Sequence, residues 1–279
     1  MRQQLISFLL VVFYRMKDVL KRNNVNVIGS GADTIIFAHG FGCDQHVWKA
    51  MTEAFQDQYR LVLFDYVGAG CSDLTAYDPE RYSTLHGYAQ DVIEICEALD
   101  LSGAIFVGHS VSSIIGVLAA NQVPNLFSKL IFLGPSPCYI NDEGYTGGFN
   151  RKDMEDLLAV MDNNYLGWAR ALAPQIMGNG DRPALGESLT HSFCATDPDI
   201  ARQFARVTFL SDHRDDLPKL TIPSLTLQCS DDIVAPVEVG KYVNRVTPGN
   251  QMVILSTTGH CSHLSGPEET IHAIKEFIN

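Results

Sequence analysis

The stretch Ala104-Ile105-Phe106-Val107-Gly108-His109-Ser110-Val111-Ser112-Ser113-Ile114 carries the decision about the fold. A short apolar run, Ala104 to Val107, stops at Gly108 and gives way to helical spacing over Ile114 to Ala120. A serine at the apex of such a strand-to-helix switch reads as a nucleophile elbow. The backbone there is strained, and crowding demands small residues two positions before and after the serine. Gly108 meets that demand, and Ser112, also small, stands where a second glycine is usual. Taken alone, the pattern G-x-S-x-S fits a buried serine at a helix start equally well.

Working outward, short β-branched runs alternate with helical patterns, the mark of a mostly parallel sheet flanked by helices. The strands are expected at Val25 to Ile28, Thr34 to Ala38, Arg60 to Phe64, Ala104 to Val107, Lys129 to Leu133, Ser224 to Gln228 and Gln251 to Leu255. Leu85, Tyr88, Ala89, Val92, Ile93, Cys96 and Leu99 recur at helical spacing, which predicts a wet face bearing Gln90, Asp91, Glu94 and Glu97. A last helix opens at Gly266-Pro267, with Glu268 and Glu269 placed to favour its dipole.

The alternation breaks between Pro135 and Asp216, where four helical stretches replace it: Lys152 to Met161, Asn163 to Met177, Ala184 to Cys194 and Asp197 to Ser211. The expected organisation is an α/β core over residues 17–134 and 217–279, with a four-helix lid, 135–216, inserted into it. Residues 1–16 read as an N-terminal extension, either disordered or a start-site artefact. Their apolar run, Leu5 to Tyr14, is too short to span a bilayer and is followed by no small-residue cleavage site.

A serine nucleophile requires an acid and a histidine, each after its own strand. Asp231-Asp232-Ile233-Val234-Ala235-Pro236 follows the strand ending at Gln228, and Thr258-Gly259-His260 follows the one ending at Leu255. The order serine, aspartate, histidine is thus present, with Ser110, Asp232 and His260 as the expected triad. Asp231 and Asp232 compete by adjacency, and Asp232, four residues before Pro236, is preferred. Oxyanion donors are expected from the N–H groups of Val111 and of Phe41, the latter in the glycine-bearing loop His39-Gly40-Phe41-Gly42.

Composition excludes several other classes. Twenty Lys+Arg against 32 Asp+Glu give a net charge of −12, which disfavours nucleic acid and anionic membranes as partners. Seven scattered cysteines without a C-x-x-C pair suggest a reducing, cytoplasmic compartment. No cofactor or metal is expected. Gly68 and Gly70 lack the third glycine of a dinucleotide fingerprint, and His263, three residues after His260, lacks an H-E-x-x-H context.

The elbow, the ordered acid and base, and the D-x-x-G-x-G-x-S turn at 65–72 together resemble the α/β-hydrolase superfamily from about Val25 to Asn279. Longer stretches, FAHGFGCDQHVW, VLFDYVGAGCSDL, VGHSVSS, GPSPCYIND, CATDPDIARQFA, LQCSDDIVAP and GHCSHLS, resemble the RsbQ-like group. That group comprises bacterial energy-stress regulators akin to plant karrikin and strigolactone receptors. The resemblance implies the same triad, a four-helix lid and a pocket for a small apolar ligand above Ser110. Phe41, Val111, Phe149, Trp168, Phe193, Phe209 and Cys261 are the candidate lining, although the lid aromatics must also pack the lid's own core. The resemblance further implies a partner, an RsbP-type phosphatase that switches on a general-stress sigma factor. A metabolic carboxylesterase or lactonase without a partner is the competing expectation.

Overall fold

The computed structural model describes residues 19–279. Seven strands form one sheet: β1 (Asn26–Ile28), β2 (Thr34–Ala38), β3 (Arg60–Leu63), β4 (Ala104–His109), β5 (Phe127–Leu133), β6 (Ser224–Asp231) and β7 (Asn250–Thr258). Their order is β1-β3-β2-β4-β5-β6-β7, and every neighbouring pair is parallel except β1 with β3. All six residues of β4 are buried. This central strand is covered on both faces, and its unbroken apolar run is the sequence signature of that position.

Helices α1 (Lys49–Phe55), α2 (Leu85–Ala98) and α3 (Val111–Gln122) alternate with the early strands. The lid helices α4 (Arg151–Asn163), α5 (Tyr165–Met177), α6 (Pro183–Ala195) and α7 (Pro198–Phe209) lie between β5 and β6. Then follow α8 (Val237–Val246), the short α9 (Ser262–Ser265) and α10 (Pro267–Ile278). On one face of the sheet, Ile35, Phe37, Val107 and Ile131 share a core with Met51 and Phe55 of α1 and Ile274 of α10. On the other, Ile36, Val62, Phe106 and Leu130 share a core with Tyr88 and Val92 of α2 and Ile115 of α3. Lid residues Met154, Leu158, Trp168, Leu189, Phe193 and Phe204 belong to this second core, so the lid is packed onto the sheet domain as one hydrophobic body. Each such side chain, fully buried, contributes about 1.5–3 kcal/mol.

Local chemistry sets the lid boundaries. The Asp197 side chain accepts the N–H groups of Asp199 and Ile200, with Pro198 in the first turn of α7. The Asn164 side chain accepts from Gly167 N at the start of α5.

Two expectations need correction. Asp91 does not face water: it is buried, held by Arg22 at 3.0 Å, Arg81 at 2.5 Å, the Tyr82 hydroxyl at 2.8 Å and Asn23 at 3.2 Å. The segment before β1 and the turn before α2 cover this side of the helix, which periodicity within α2 could not reveal. Likewise β4, β6 and β7 run past their apolar stretches to His109, Asp231 and Thr258, because ladder pairing continues through residues with polar side chains. The expectations for residues 1–16 lie outside the described residues. No helix among the described residues is long and apolar enough to cross a membrane.

The elbow leaves no room at Gly108. A Cβ there would lie 2.6 Å from the Ser112 carbonyl carbon and oxygen and 2.7 Å from Ser113 N, all backbone atoms that cannot rotate away. Gly108→Ala is expected to destabilise the fold by about 1–3 kcal/mol, as overpacking does, read as a lowered urea midpoint at unchanged slope.

Candidate active site

Ser110 sits between β4 and α3 with φ +56° and ψ −123°, a left-handed conformation rare for a residue with a side chain. The turn lifts its hydroxyl off the C-terminal edge of the sheet, where the loops after β2, β6 and β7 also begin. His260, in the loop after β7, places Nε2 2.7 Å from Ser110 Oγ. His260 Nδ1 lies 2.7 Å from Asp232 Oδ2, in the loop after β6. A carboxylate can only accept, so Nδ1 carries the proton and Nε2 is left to accept from the serine. The other Asp232 oxygen accepts from Val234 N at 2.8 Å and Ala235 N at 3.1 Å, so the carboxylate is satisfied and oriented although buried. Asp231 instead ends β6 with its residue exposed. Gly134, at φ +57°, lies under the pair: a Cβ there would approach the His260 ring to 3.1 Å.

Val111 opens α3, where a helix has N–H groups without intrahelical acceptors. The loop after β2 faces it. A Cβ on Gly40 would meet His109 Nδ1 at 2.5 Å, and one on Gly42 would meet the Phe193 ring at 2.4 Å. This is the close approach that the glycines of His39-Gly40-Phe41-Gly42 make possible. Within the loop, His39 Nε2 accepts from Tyr66 N at 3.2 Å, and Nδ1–H therefore donates to the Gly40 carbonyl at 2.9 Å. Burial holds the His39 imidazole below its ordinary value, in the neutral form this bonding needs.

Phe41, Cys43, Ile176, Leu189, Phe193, Phe209, Val234 and Cys261 enclose a cavity over Ser110 and His260. Of the expected lining, Phe41, Phe193, Phe209 and Cys261 are there, and Val111, Trp168 and Phe149 are not. Val111 is buried in the core beneath the turn. Trp168 lies one layer back, stacked on Phe193 with centroids 6.1 Å apart and edge-on to Phe41 at 6.2 Å. Phe149 is tied by backbone pairing to Tyr139 and Ile140 and packs, half-buried, at the margin of the core.

That pairing brings in a residue the sequence reading missed. The Tyr139 hydroxyl lies 3.3 Å from Ser110 Oγ. Burial pushes its phenol up, so it keeps its proton and donates to the serine oxygen while the serine donates to His260. The isolated bridges of Ile140 with Phe149 and Asp142 with Tyr145 are too short for periodicity to expose. Beneath the site, His109 Nε2–H donates to the His260 carbonyl at 3.1 Å. His263 packs 4.5 Å from His109 and 4.6 Å from Trp48 by ring centroids. Among the described residues neither nitrogen of His263 has a hydrogen-bond partner, and no group of side chains could hold a metal ion.

The profile described as "Alpha/beta hydrolase family" matches residues 35–273. The chain belongs to that family. It is 40% identical over 266 residues to "Karrikin insensitive 2 receptor CA" of Petunia hybrida, covering 95% of this chain and 98% of that protein. It is 37% identical over 262 residues to "Strigolactone esterase D14" of Arabidopsis thaliana, covering 94% and 98%. Among solved structures, a hydrolase from Oleispira antarctica superposes with a TM-score of 0.92 at 44% identity, over 94% of this chain and 97% of that one. The chain is therefore a member of this family related to karrikin and strigolactone receptor hydrolases, with the family's mostly parallel sheet.

Two outcomes follow from this geometry. Asp232→Asn is expected to lower ester turnover by about 10⁴, the effect of losing the correct histidine tautomer in other triads. Asp231→Asn should leave turnover near that of the unsubstituted protein in the same assay. The second outcome concerns acid stability. Burial pushes His263 down to about 3 from its ordinary 6.5, so as pH falls the unfolded chain binds this proton first. The stability contributed by neutral His263 is complete above 6.5 and is lost progressively toward 3. His263→Phe, which keeps the ring packing and removes the titration, should flatten that acid decline in urea midpoints measured across the window.

Proposed function

We propose that this chain is a serine-hydrolase-type signalling protein, which binds or hydrolyses a small apolar ester or lactone beneath its lid and activates an RsbP-type phosphatase in the general stress response. The observation that carries the chemical half is the unbroken hydrogen-bond chain from Ser110 through His260 to Asp232, buried at the floor of a largely apolar cavity. In the proposed reaction His260 Nε2 takes the Ser110 proton as Oγ attacks the ester carbonyl carbon. The carbonyl oxygen becomes an oxyanion, which accepts from the N–H groups of Phe41 and Val111. As the tetrahedral species collapses, the C–O bond to the leaving alkoxide breaks and His260 returns the proton to it. Water, deprotonated by His260 in turn, then releases the acid from Ser110.

Support for the signalling half comes from the receptor names of the relatives and from the lid segments that resemble the RsbQ-like group. The phosphatase would read the outer surface of the lid, where Arg170 of α5 is exposed beside a groove between α5 and α6. A fluorophosphonate should label the protein covalently, and Ser110→Ala should lose the label and at least about 10³ in turnover of a small activated ester. A purified RsbP-type phosphatase should be retained by the immobilised protein, and Arg170→Glu should weaken retention while turnover survives. Normal turnover in Ser110→Ala would overturn the mechanism. Intact Ser110-dependent turnover with no phosphatase retained would replace the signalling half by a metabolic carboxylesterase or lactonase.

A further inference from the structure

Apart from Ser265 Oγ of α9, which donates to the Thr258 carbonyl at 3.0 Å, the loop that carries His260 is suspended from three sides. On the side of the acid loop, Gly259 N donates to the Asp231 carbonyl at 2.8 Å, and from below His109 Nε2 donates to the His260 carbonyl at 3.1 Å. The third side belongs to the lid. Helix α5 ends against this loop, and His260 N donates to the Ile176 carbonyl at 2.9 Å. Immediately after the helix, Asn179 Nδ2 bridges two carbonyls, Met177 at 2.8 Å within the lid and Thr258 at 2.9 Å in the histidine loop. Asn179 Oδ1 accepts from the Arg182 guanidinium, which fixes the amide so that its N–H groups face the seam.

The backbone on both sides is shaped for this contact. Gly178 has φ +61° and ψ −149°, and Asn179 follows at φ +57°, so the chain turns sharply at the end of α5. Across the seam Gly259 lies so close that a Cβ would fall 1.9 Å from the Met177 carbonyl oxygen. A glycine there and a left-handed asparagine opposite it are the residue types that permit such an approach.

We infer that Asn179 is a positioning residue for His260: it clasps the end of lid helix α5 to the histidine loop, so that lid placement and the Ser110–His260 geometry are linked. The inference rests on the proposed triad. Asn179 Nδ2 reaches the carbonyl oxygens of Met177 and Thr258 at once, and its two N–H groups, one for each, come from one rigid amide. Releasing it lets the loop ride away from the elbow, and misplacement of a reacting group by about 1 Å costs on the order of 10² in rate.

The test compares unsubstituted protein, Ser110→Ala, Asn179→Ala and Asn179→Asp. Asn179→Asp keeps the shape and the partner of Arg182 but removes both N–H donors, and serves where Asn179→Ala fails to fold. Steady-state kinetics with a small activated ester are read together with the downfield proton resonance of His260 Nδ1–H. The Asn179 variants should lose about 10-fold to 100-fold in kcat with KM within about twofold, and the downfield resonance should broaden or vanish while the melting transition stays cooperative. A kcat within about twofold of the unsubstituted protein overturns the clasp, as does a fall in kcat that tracks melting temperature with the resonance intact. Turnover that survives in Ser110→Ala brings down the triad reading and the clasp with it. Ser110-dependent turnover that is indifferent to Asn179 brings down the clasp alone.

Discussion

A left-handed residue at position 110 is the constraint to which the surrounding structure answers. Holding a non-glycine residue at φ +56° and ψ −123° costs on the order of 1–3 kcal/mol, and it persists only where neighbours over-determine it. They do so here from several directions. Ser110 N donates to the Leu133 carbonyl of β5 at 2.8 Å, Ser113 N returns to the Ser110 carbonyl at 3.0 Å, and Ser113 Oγ donates to the Gly108 carbonyl at 2.9 Å. The turn is thereby stitched to the neighbouring strand, to its own helix and to its own strand. Gly108 is the steric condition for that stitching, since its missing side chain is the space in which the first turn of α3 lies.

Ser112 shows how the same turn organises the rest of the site. At the position where glycine is usual, its hydroxyl donates to the His39 carbonyl and accepts from the Tyr66 hydroxyl at 2.9 Å. Tyr66 N, in turn, donates to the His39 ring. The loops after β2 and β3 and the first turn of α3 are closed into one hydrogen-bonded unit in a region where unpaired polar groups are costly. A glycine at 112 would satisfy the crowding at the elbow but leave the His39 carbonyl and the Tyr66 hydroxyl without this partner. The substitution is thus part of the positioning of the Phe41 loop opposite Val111. The D-x-x-G-x-G-x-S turn serves the same end. Asp65 accepts from Gln45 N at 2.9 Å and Cys71 N at 3.0 Å, with Gly70 packed so closely that a Cβ would lie 2.4 Å from its carboxylate.

What the sequence made legible follows from the range of each interaction. Strand and helix periods are local, so all seven strands and the four lid helices could be placed to within a few residues. Glycine signals are local too, which is why the elbow and the Phe41 loop stood out. Asp91 departs from the wet face that periodicity assigns it because its partners Arg22 and Arg81 lie on other segments, and a helical period reports only which positions share a face. Aromatic residues in a lid, such as Trp168 and Phe149, can line a pocket or pack behind it, and only the three-dimensional order of layers decides. Tyr139 stayed invisible for the opposite reason. It lies in an irregular segment whose isolated bridges give no repeating pattern, yet that segment delivers its hydroxyl to Ser110.

The lining of the cavity ties it to the lid. The cavity that the lining side chains form over Ser110 holds about 20 Å³, on the order of one water molecule. Sites for small organic ligands usually run to about 300–1,000 Å³ of usable space. The wall above the serine is lid: Ile176 of α5, Leu189 and Phe193 of α6, Phe209 of α7. Phe193 also seals against Gly42 of the loop that presents Phe41, while Ile176 holds the backbone of His260. The side chains that roof the cavity are thus carried by the helices that touch the loops bearing Phe41 and His260. A ligand shifts a conformational equilibrium only through its differential affinity for the two states. Under the proposed signalling role, a ligand larger than the cavity would supply that difference by favouring arrangements in which the lid side chains give way.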